Sequence, residues 1–278
     1  MIENFKVKTI FELSEELLEG PIFDNNLNLL YFVSILDFKV YRYNPITEEL
    51  IFIQLDSPTS CVYITNKYGV VAASINGFYC LDFENQKFNF LFKINIKSNL
   101  RFNDGILDSK GRFLIGTMGY PNILESKASL LSYELGKQPK TLISGVTISN
   151  GVTFTKDSKK MYYIDTPTKK VKEFKYFLNS GKCEFLRDVI EFTNIGFPDG
   201  MDIDSSGNLW IAEWGGHAVS VWNPVDGSQL NRIKLPTENI TSLCFDCNEN
   251  LYVTSANSNK LGSLKKSFLF HIERKINE

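Results

Sequence analysis

The sequence predicts an all-β protein folded as a six-bladed β-propeller of four-stranded antiparallel blades. Three observations lead to this prediction. Short apolar and aromatic runs separated by turn residues continue along the whole chain, while helical periodicity is nearly absent. A segment of forty-odd residues recurs six times. A strand without a partner precedes the first repeat, and the last repeat is one strand short.

The repeat is clearest where a polar residue begins a strand. The equivalent positions in the six repeats follow one another at intervals of 41–49 residues and are Glu19, Ser60, Asn103, Asn150, Asp199 and Thr241. Six units of about four strands each fit a propeller, because radial blades bury both faces of every sheet. We therefore expect residues 1–278 to form a single propeller domain.

The two ends of the chain predict how the ring closes. The segment "NFKVKTIFEL" at 4–13 precedes the first repeat, and the last repeat ends after "SFLFHIER" at 267–274. Two open sheet edges would invite aggregation. We expect the N-terminal strand to complete the last blade.

Charge and composition narrow the functional classes. The 30 basic and 32 acidic residues give a formal net charge of −2, so no overall field would attract nucleic acid or anionic lipid. No apolar segment reaches the ~18 residues of a membrane helix, and the N-terminus lacks the features of a signal peptide. The five cysteines are scattered and odd in number, which predicts reduced thiols. We expect a cytoplasmic protein, monomeric or weakly self-associating, without nucleic-acid or membrane partners.

The six aligned polar residues should converge at one end of the propeller axis, because the innermost strand of each blade lines the central channel. Their two carboxylates and two amides would suit calcium, magnesium or manganese and could accept zinc. Alternatively, they only cap turns, as Asp and Asn often do. That second interpretation is the one we give to the acids that follow the first strand of each repeat, namely Asp24, Asp108, Asp157, Asp204 and Asp246. The chain has two histidines, which excludes a three-histidine metal site.

Four segments occur in an order that resembles a known family. They are "EGP" at 19–21, "RFNDGILDSKGRFLIGTM" at 101–118, "TISNGVTFTKDSKKMYYIDTPTKKV" at 147–171 and "FPDGMDIDSSGNLWIAEWGG" at 197–216. They resemble the signatures of the calcium-dependent gluconolactonases, also called the SMP-30 or regucalcin-like family of six-bladed propellers. The resemblance implies one divalent cation held by Glu19, Asn150 and Asp199, with Arg101 and Asn103 facing the substrate. Calcium is the expected ion, with zinc, magnesium and manganese as alternatives.

One segment departs from the family pattern. After "GTM" the family often carries acidic residues that can contact a sugar-like substrate, whereas this chain has Tyr120 and Pro121. The leading hypothesis is a metal-dependent hydrolase of a sugar lactone or another small lactone, in which Asp199 holds the metal and also accepts a proton. The alternatives are a propeller that binds calcium or a small ligand without turnover, and a propeller that serves only as an interaction scaffold.

Overall fold

The computed structural model of the protein describes residues 4–193, 195–258 and 265–275. These residues form twenty-four β-strands and one 3-10 turn over Thr166–Thr168. The strands make six four-stranded antiparallel sheets arranged in a ring. The predicted six-bladed β-propeller is therefore confirmed. No helix in the described ranges is long and apolar enough to cross a membrane.

Five blades each consist of four consecutive strands, numbered from the central channel outward. Blade 1 contains β2 (Leu18–Asp24), β3 (Leu29–Ser34), β4 (Lys39–Asn44) and β5 (Glu49–Gln54). Blade 2 contains β6 (Thr59–Thr65), β7 (Gly69–Ser74), β8 (Gly77–Asp82) and β9 (Lys87–Phe92). Blade 3 contains β10 (Leu100–Leu107), β11 (Phe113–Gly119), β12 (Ala128–Tyr133) and β13 (Lys140–Val146). Blade 4 contains β14 (Ser149–Phe154), β15 (Lys160–Asp165), β16 (Lys170–Phe177) and β17 (Lys182–Glu191). Blade 5 contains β18 (Phe197–Ile203), β19 (Leu209–Trp214), β20 (Ala218–Trp222) and β21 (Gln229–Lys234).

The sixth blade joins the two ends of the chain. Its inner strands are β22 (Asn239–Phe245), β23 (Leu251–Ala256) and β24 (Ser267–Lys275), and its outermost strand is β1 (Asn4–Leu13). Strand β1 pairs antiparallel with β24 and places Val7 opposite Ile272. The prediction that the N-terminal strand completes the last blade is confirmed.

The hydrophobic core is divided among the contacts between neighbouring blades. Each of six clusters of buried apolar side chains combines residues from two adjacent blades. Second strands such as β3 are buried on both faces, whereas outer strands such as β9 expose Phe88 and Phe90. Tight packing between blades makes the ring a stiff frame. Because the first strand of every blade contacts the first strand of both neighbours, all six begin at the same end of the channel.

The acids after the inner strands act as turn residues, as predicted. Asp108 Oδ1 accepts hydrogen bonds from the amides of Lys110 and Arg112 at 2.9 and 3.0 Å. The same pattern of acceptance from following amides occurs at Asp24, Asp157, Asp204 and Asp246. All five cysteines are free thiols, and in "CFDC" Cys244 is buried while Cys247 is exposed.

Candidate functional site

A β-bulge interrupts every inner strand at the position where the six repeats align. The register with the second strand shifts between Glu19 and Ile22, Thr59 and Cys61, Phe102 and Gly105, Asn150 and Val152, Pro198 and Met201, and Ile240 and Ser242. A bulge takes a residue out of the ladder and re-aims its side chain. At Glu19 the following Gly20 has a φ of 50°, which glycine adopts without strain. Asn103 and Asp199 lie in the skipped segments, whereas Glu19 and Asn150 stay paired with the second strand and the glycine after each is skipped.

All five residues singled out by the sequence lie around one cavity. Glu19, Arg101, Asn103, Asn150 and Asp199 line a space of about 210 Å³. They come from four blades, and the propeller ring brings them to the same end of the channel. Glu19 and Asp199 are both buried, with 8% and 5% of their surfaces exposed. The arrangement agrees with the predicted convergence, while the roles of these residues remain predictions.

The other two aligned residues, Ser60 and Thr241, do not join the cavity lining. Ser60 Oγ donates a hydrogen bond to the Phe102 carbonyl at 2.5 Å, and Thr241 Oγ1 donates to the Leu18 carbonyl at 2.6 Å. Each hydroxyl therefore links its inner strand to that of the next blade. The expectation of a six-membered polar ring is wrong at these two positions, because a short hydroxyl finds its acceptor on the neighbouring backbone.

Hydrogen bonds fix the orientation of both amides. Thr166 Oγ1 donates to the Pro198 carbonyl at 2.9 Å, so it must accept the 2.8 Å bond from Asn150 Nδ2. That leaves Asn150 Oδ1 to accept from Asn103 Nδ2 at 2.7 Å. Asn103 Oδ1 in turn accepts from Arg101 Nη1 at 2.8 Å. Thr166, which was not predicted from the sequence, binds the Asn150 nitrogen and thereby leaves the Asn150 oxygen on the side of Asn103.

Asp199 has the unusual environment at this site. Its Oδ1 is buried and has no hydrogen-bond partner among the described residues, unlike the turn acids, whose Oδ1 atoms accept from following amides. Burial, then the nearby Glu19 and Asp104, raise the pKa of Asp199 well above its ordinary value, and Arg101 offsets part of this effect. Burial and Asp104 likewise raise the pKa of Glu19, to about 8. Two carboxylates are held close together with too little positive charge to balance them.

The donor set fits a hard divalent cation. No group of three His, Cys, Asp or Glu side chains in the described ranges could hold a metal, so a cation here would have to use the two carboxylates together with an amide. Asn150 Oδ1 has a second lone pair beyond the bond from Asn103. Carboxylate and amide oxygens are ligands preferred by calcium, magnesium and manganese. Glu19, Asn150 and Asp199 would hold the ion, and the unpartnered Asp199 Oδ1 would gain a partner.

The raised pKa values predict how pH acts on the metal-free protein. Glu19 keeps its proton in the folded state up to about pH 8, whereas the unfolded chain releases it near 4.5. Between these values the unfolded state binds fewer protons, so the free energy of unfolding should fall as pH rises. Melting temperatures of chelated protein should therefore decrease from pH 5 to pH 8, with a shallower slope for Glu19→Gln. Equal slopes for the two proteins would contradict the environment described for Glu19.

Apolar side chains form the walls above this polar floor. They come from the ends of strands and from loops on the same side of the propeller, and they are Leu17, Met118, Ile123, Ile148 and Trp214. Ile123 belongs to the segment after "GTM" in which the family acids are missing. Glu125 is exposed and does not line the cavity. None of these wall residues was predicted from the sequence to belong to the site.

A second pair of acids lies deeper in the channel. Asp104 and Asp202 line a cavity of about 110 Å³, and enclosure within the protein raises the pKa of each to about 6. Asp104 Oδ1 accepts from the Gly105 amide at 2.7 Å and Asp202 Oδ1 from the Ile203 amide at 2.8 Å. Asp104 adds negative charge below the floor of the candidate site. The position of Asp202 in the channel could have been predicted from the sequence, because it lies three residues after Asp199 on the same inner strand.

A larger groove of about 620 Å³ lies among the turns after the inner strands of blades 2 and 3. Its carboxylates already have partners: Asp108 pairs with Arg112 at 2.6 Å and Glu134 with Lys137 at 2.7 Å. It contains no unpartnered buried polar atom. The smaller cavity at the channel end is therefore the stronger candidate for chemistry.

Comparisons with known proteins agree with the fold and order of these elements. Residues 17–257 match the SMP-30/Gluconolactonase/LRE-like region. Regucalcin from Xenopus laevis is 34% identical over 264 residues, covering 92% of this chain and 88% of the relative. The structure of a luciferin-regenerating enzyme superposes with a TM-score of 0.88 and 26% identity, covering 97% of this chain and 95% of that one. A regucalcin from Agrobacterium tumefaciens, described as a calcium-binding protein, has a TM-score of 0.87 at 23% identity and covers 98% of this chain and 96% of its own.

The family match spans more than half of the chain and includes all five predicted site residues. The regucalcin relative covers nearly the same length at more than 30% identity. The chain therefore belongs to the SMP-30/gluconolactonase/LRE-like family.

Proposed function

We propose that the protein is a divalent-metal-dependent hydrolase that opens a small lactone. The observation that carries this proposal is the buried, unpartnered Oδ1 of Asp199 beside a second buried carboxylate and a buried guanidinium. Such an arrangement is costly for a purely structural site, because a buried polar atom without a partner destabilises the fold even when the group is neutral. Membership of a family named for gluconolactonases supports the choice of reaction.

Glu19, Asn150 and Asp199 are the proposed ligands of a single cation. Calcium is the ion we propose, since one solved relative is described as calcium-binding and all three donors are oxygens. The chemistry that such a cation supplies when bound is polarisation of a carbonyl and acidification of water. Three protein donors leave room for both water and substrate at a site of this kind.

The side chains of the cavity supply the remaining steps. Asp199 accepts a proton from the attacking water, because its carboxylate would be ionised by the neighbouring cation and Arg101. Arg101 stabilises the negative charge that develops on the carbonyl oxygen, and Asn103 keeps the guanidinium in place. Breaking the acyl–oxygen bond releases an alkoxide, which takes the proton from Asp199. The product is the open-chain hydroxy acid.

The test is hydrolysis of a lactone panel by chelated protein before and after addition of calcium, magnesium, manganese or zinc. The panel should contain aldonolactones together with simple γ- and δ-lactones. We expect turnover of at least one lactone that appears with added metal and disappears on renewed chelation. An Arg101→Gln variant should bind metal normally and turn over more slowly, since Arg101 donates no metal ligand. Absence of metal-dependent turnover with every lactone would refute the proposed activity.

The alternative function is a propeller that binds a divalent cation without turnover. The absence of the family acids at Tyr120 and Pro121 favours it. Under this alternative, calcium raises the melting temperature of wild-type protein but not of Glu19→Gln, and every lactone is recovered unchanged.

A further inference from the structure

The walls of the candidate site differ in chemistry from its floor. The floor holds the charged and amide side chains, whereas Leu17, Met118, Ile148 and Trp214 surround it above, with Ile123 at the mouth. Ile123 is 60% exposed and the other four are partly exposed, so their apolar surfaces face the space a ligand would fill. Partly exposed apolar side chains around a cavity are typical of a ligand site.

The amide atoms of the floor mostly have hydrogen-bond partners within the protein, and the two carboxylates are the proposed cation ligands. Both Asn103 side-chain atoms and Asn150 Nδ2 already have partners within the protein. Arg101 Nη1 is shared between the Phe102 carbonyl at 2.7 Å and Asn103. The site can therefore satisfy the polar end of a ligand, but it offers few groups for a ring of hydroxyls. Hydroxyls placed against the walls would lose their hydrogen bonds to water without replacement.

The backbone after strand β11 brings Ile123 to the mouth. A side chain at Gly119 would collide with the Asn122 carbonyl and the Leu124 amide, so the loop can fold back here only because residue 119 is glycine. The fold-back directs Ile123, rather than Glu125, to the cavity. The loop that departs from the family pattern thus contributes an apolar contact.

We propose that this site takes a lactone with an apolar alkyl or aryl substituent in preference to a polyhydroxylated sugar lactone, and that Ile123 and Trp214 determine this choice. The substrate class rests on the lactonase function proposed above. A cavity of about 210 Å³ suits one small ring with a short substituent. The carbonyl end would lie at Arg101 and Asp199, with the substituent against the walls.

The first measurement compares kcat/KM for glucono-δ-lactone, δ-valerolactone and δ-nonalactone, which carries a butyl group. Each buried methylene should raise kcat/KM about fourfold, so δ-nonalactone, with four more carbons, should exceed δ-valerolactone by up to roughly 250-fold. Glucono-δ-lactone should be the poorest substrate of the three. A preference for glucono-δ-lactone over δ-nonalactone would overturn the inference while leaving the lactonase function intact.

The second measurement is independent of turnover. The lactams that correspond to δ-valerolactone and δ-nonalactone are tested for binding by calorimetry, and the butyl lactam should bind at least ~10-fold more tightly. Ile123→Asn should reduce this difference severalfold. Ile195→Asn is the matched control, because Ile195 is 90% exposed in a loop and does not line the cavity.

The two measurements separate the two proposals. If no lactone is hydrolysed but the butyl lactam binds selectively and Ile123→Asn weakens it, the apolar site is supported and the lactonase function fails. If the two lactams bind equally, or if the two isoleucine variants behave alike, the apolar site is refuted.

Discussion

Asp199→Asn should reduce metal-dependent lactone turnover by ~10²-fold or more and also remove the rise in melting temperature on addition of metal. The variant replaces both the proposed proton acceptor and a proposed cation ligand. In the absence of metal, however, it should be more stable than wild type, because a neutral amide avoids the burial of an ionised carboxylate and its repulsion with Glu19 and Asp104. The gain should grow toward alkaline pH, where the wild-type carboxyl is forced to ionise, and reach a few degrees for about 1 kcal/mol.

Asp24→Asn is the matched control for this variant. Asp24 is also a buried acid and is the last residue of the inner strand β2. Its Oδ1, however, accepts hydrogen bonds from the amides of Asn26 and Leu27 at 2.9 and 3.2 Å. An asparagine oxygen can accept the same bonds, so turnover and the response to metal should be unchanged. If Asp199→Asn retains normal turnover and normal stabilisation by metal, Asp199 is neither the ligand nor the proton acceptor.

The fold could be predicted because the features that define the repeat depend on contacts between residues close in sequence. Turn acids such as Asp108 and Asp204 bond amides a few residues away, so they leave the same pattern in every repeat. Ring closure followed from an unpaired strand before the first repeat and a missing strand in the last repeat, and β1 pairs with β24 as expected. These inferences needed only strand periodicity and the cost of open edges.

The site could be predicted only in part, because its remaining features depend on contacts between blades. The alignment gave the positions of Glu19 and Asp199 but not that Ser60 would bond the Phe102 carbonyl of the next blade. Thr166 acts through a bond to the Pro198 carbonyl, 32 residues along the chain. No local pattern reveals such a pairing.

The sequence contained a local sign of the bulges but none of the wall residues. Glycines after aligned polar residues, as at Gly20 and Gly200, were a usable sign of bulges, since glycine in a strand often marks one. Ile123 reaches the cavity through the fold-back at Gly119, which depends on loop conformation. A departure from the family motif signalled the change at this loop but not which side chain would replace the acids.

Deletion of residues 1–12 should lower the melting temperature by more than ~10 °C or leave the protein insoluble. The deletion removes nearly all of β1 and exposes the edge of β24. It also removes two aromatic contacts to neighbouring blades, since Phe5 packs edge-on against Trp210 of blade 5 and Phe11 against Tyr43 of blade 1. Losing a packed phenylalanine costs about 3 kcal/mol, so the two together would remove much of the stability of a typical domain.

Point variants distinguish loss of packing from a general effect of changing the terminus. Phe11→Ala keeps the strand but removes the contact with Tyr43, and it should lower the melting temperature by several degrees. Lys8→Ala is the control, because Lys8 is exposed and its ion pair with the exposed Glu48, at 3.9 Å, is a contact of little energetic value. The candidate site lies at the channel end and contains no residue of β1, so metal should still stabilise Phe11→Ala by the same number of degrees as wild type. An unchanged melting temperature after the deletion would mean that β1 does not close the ring in solution.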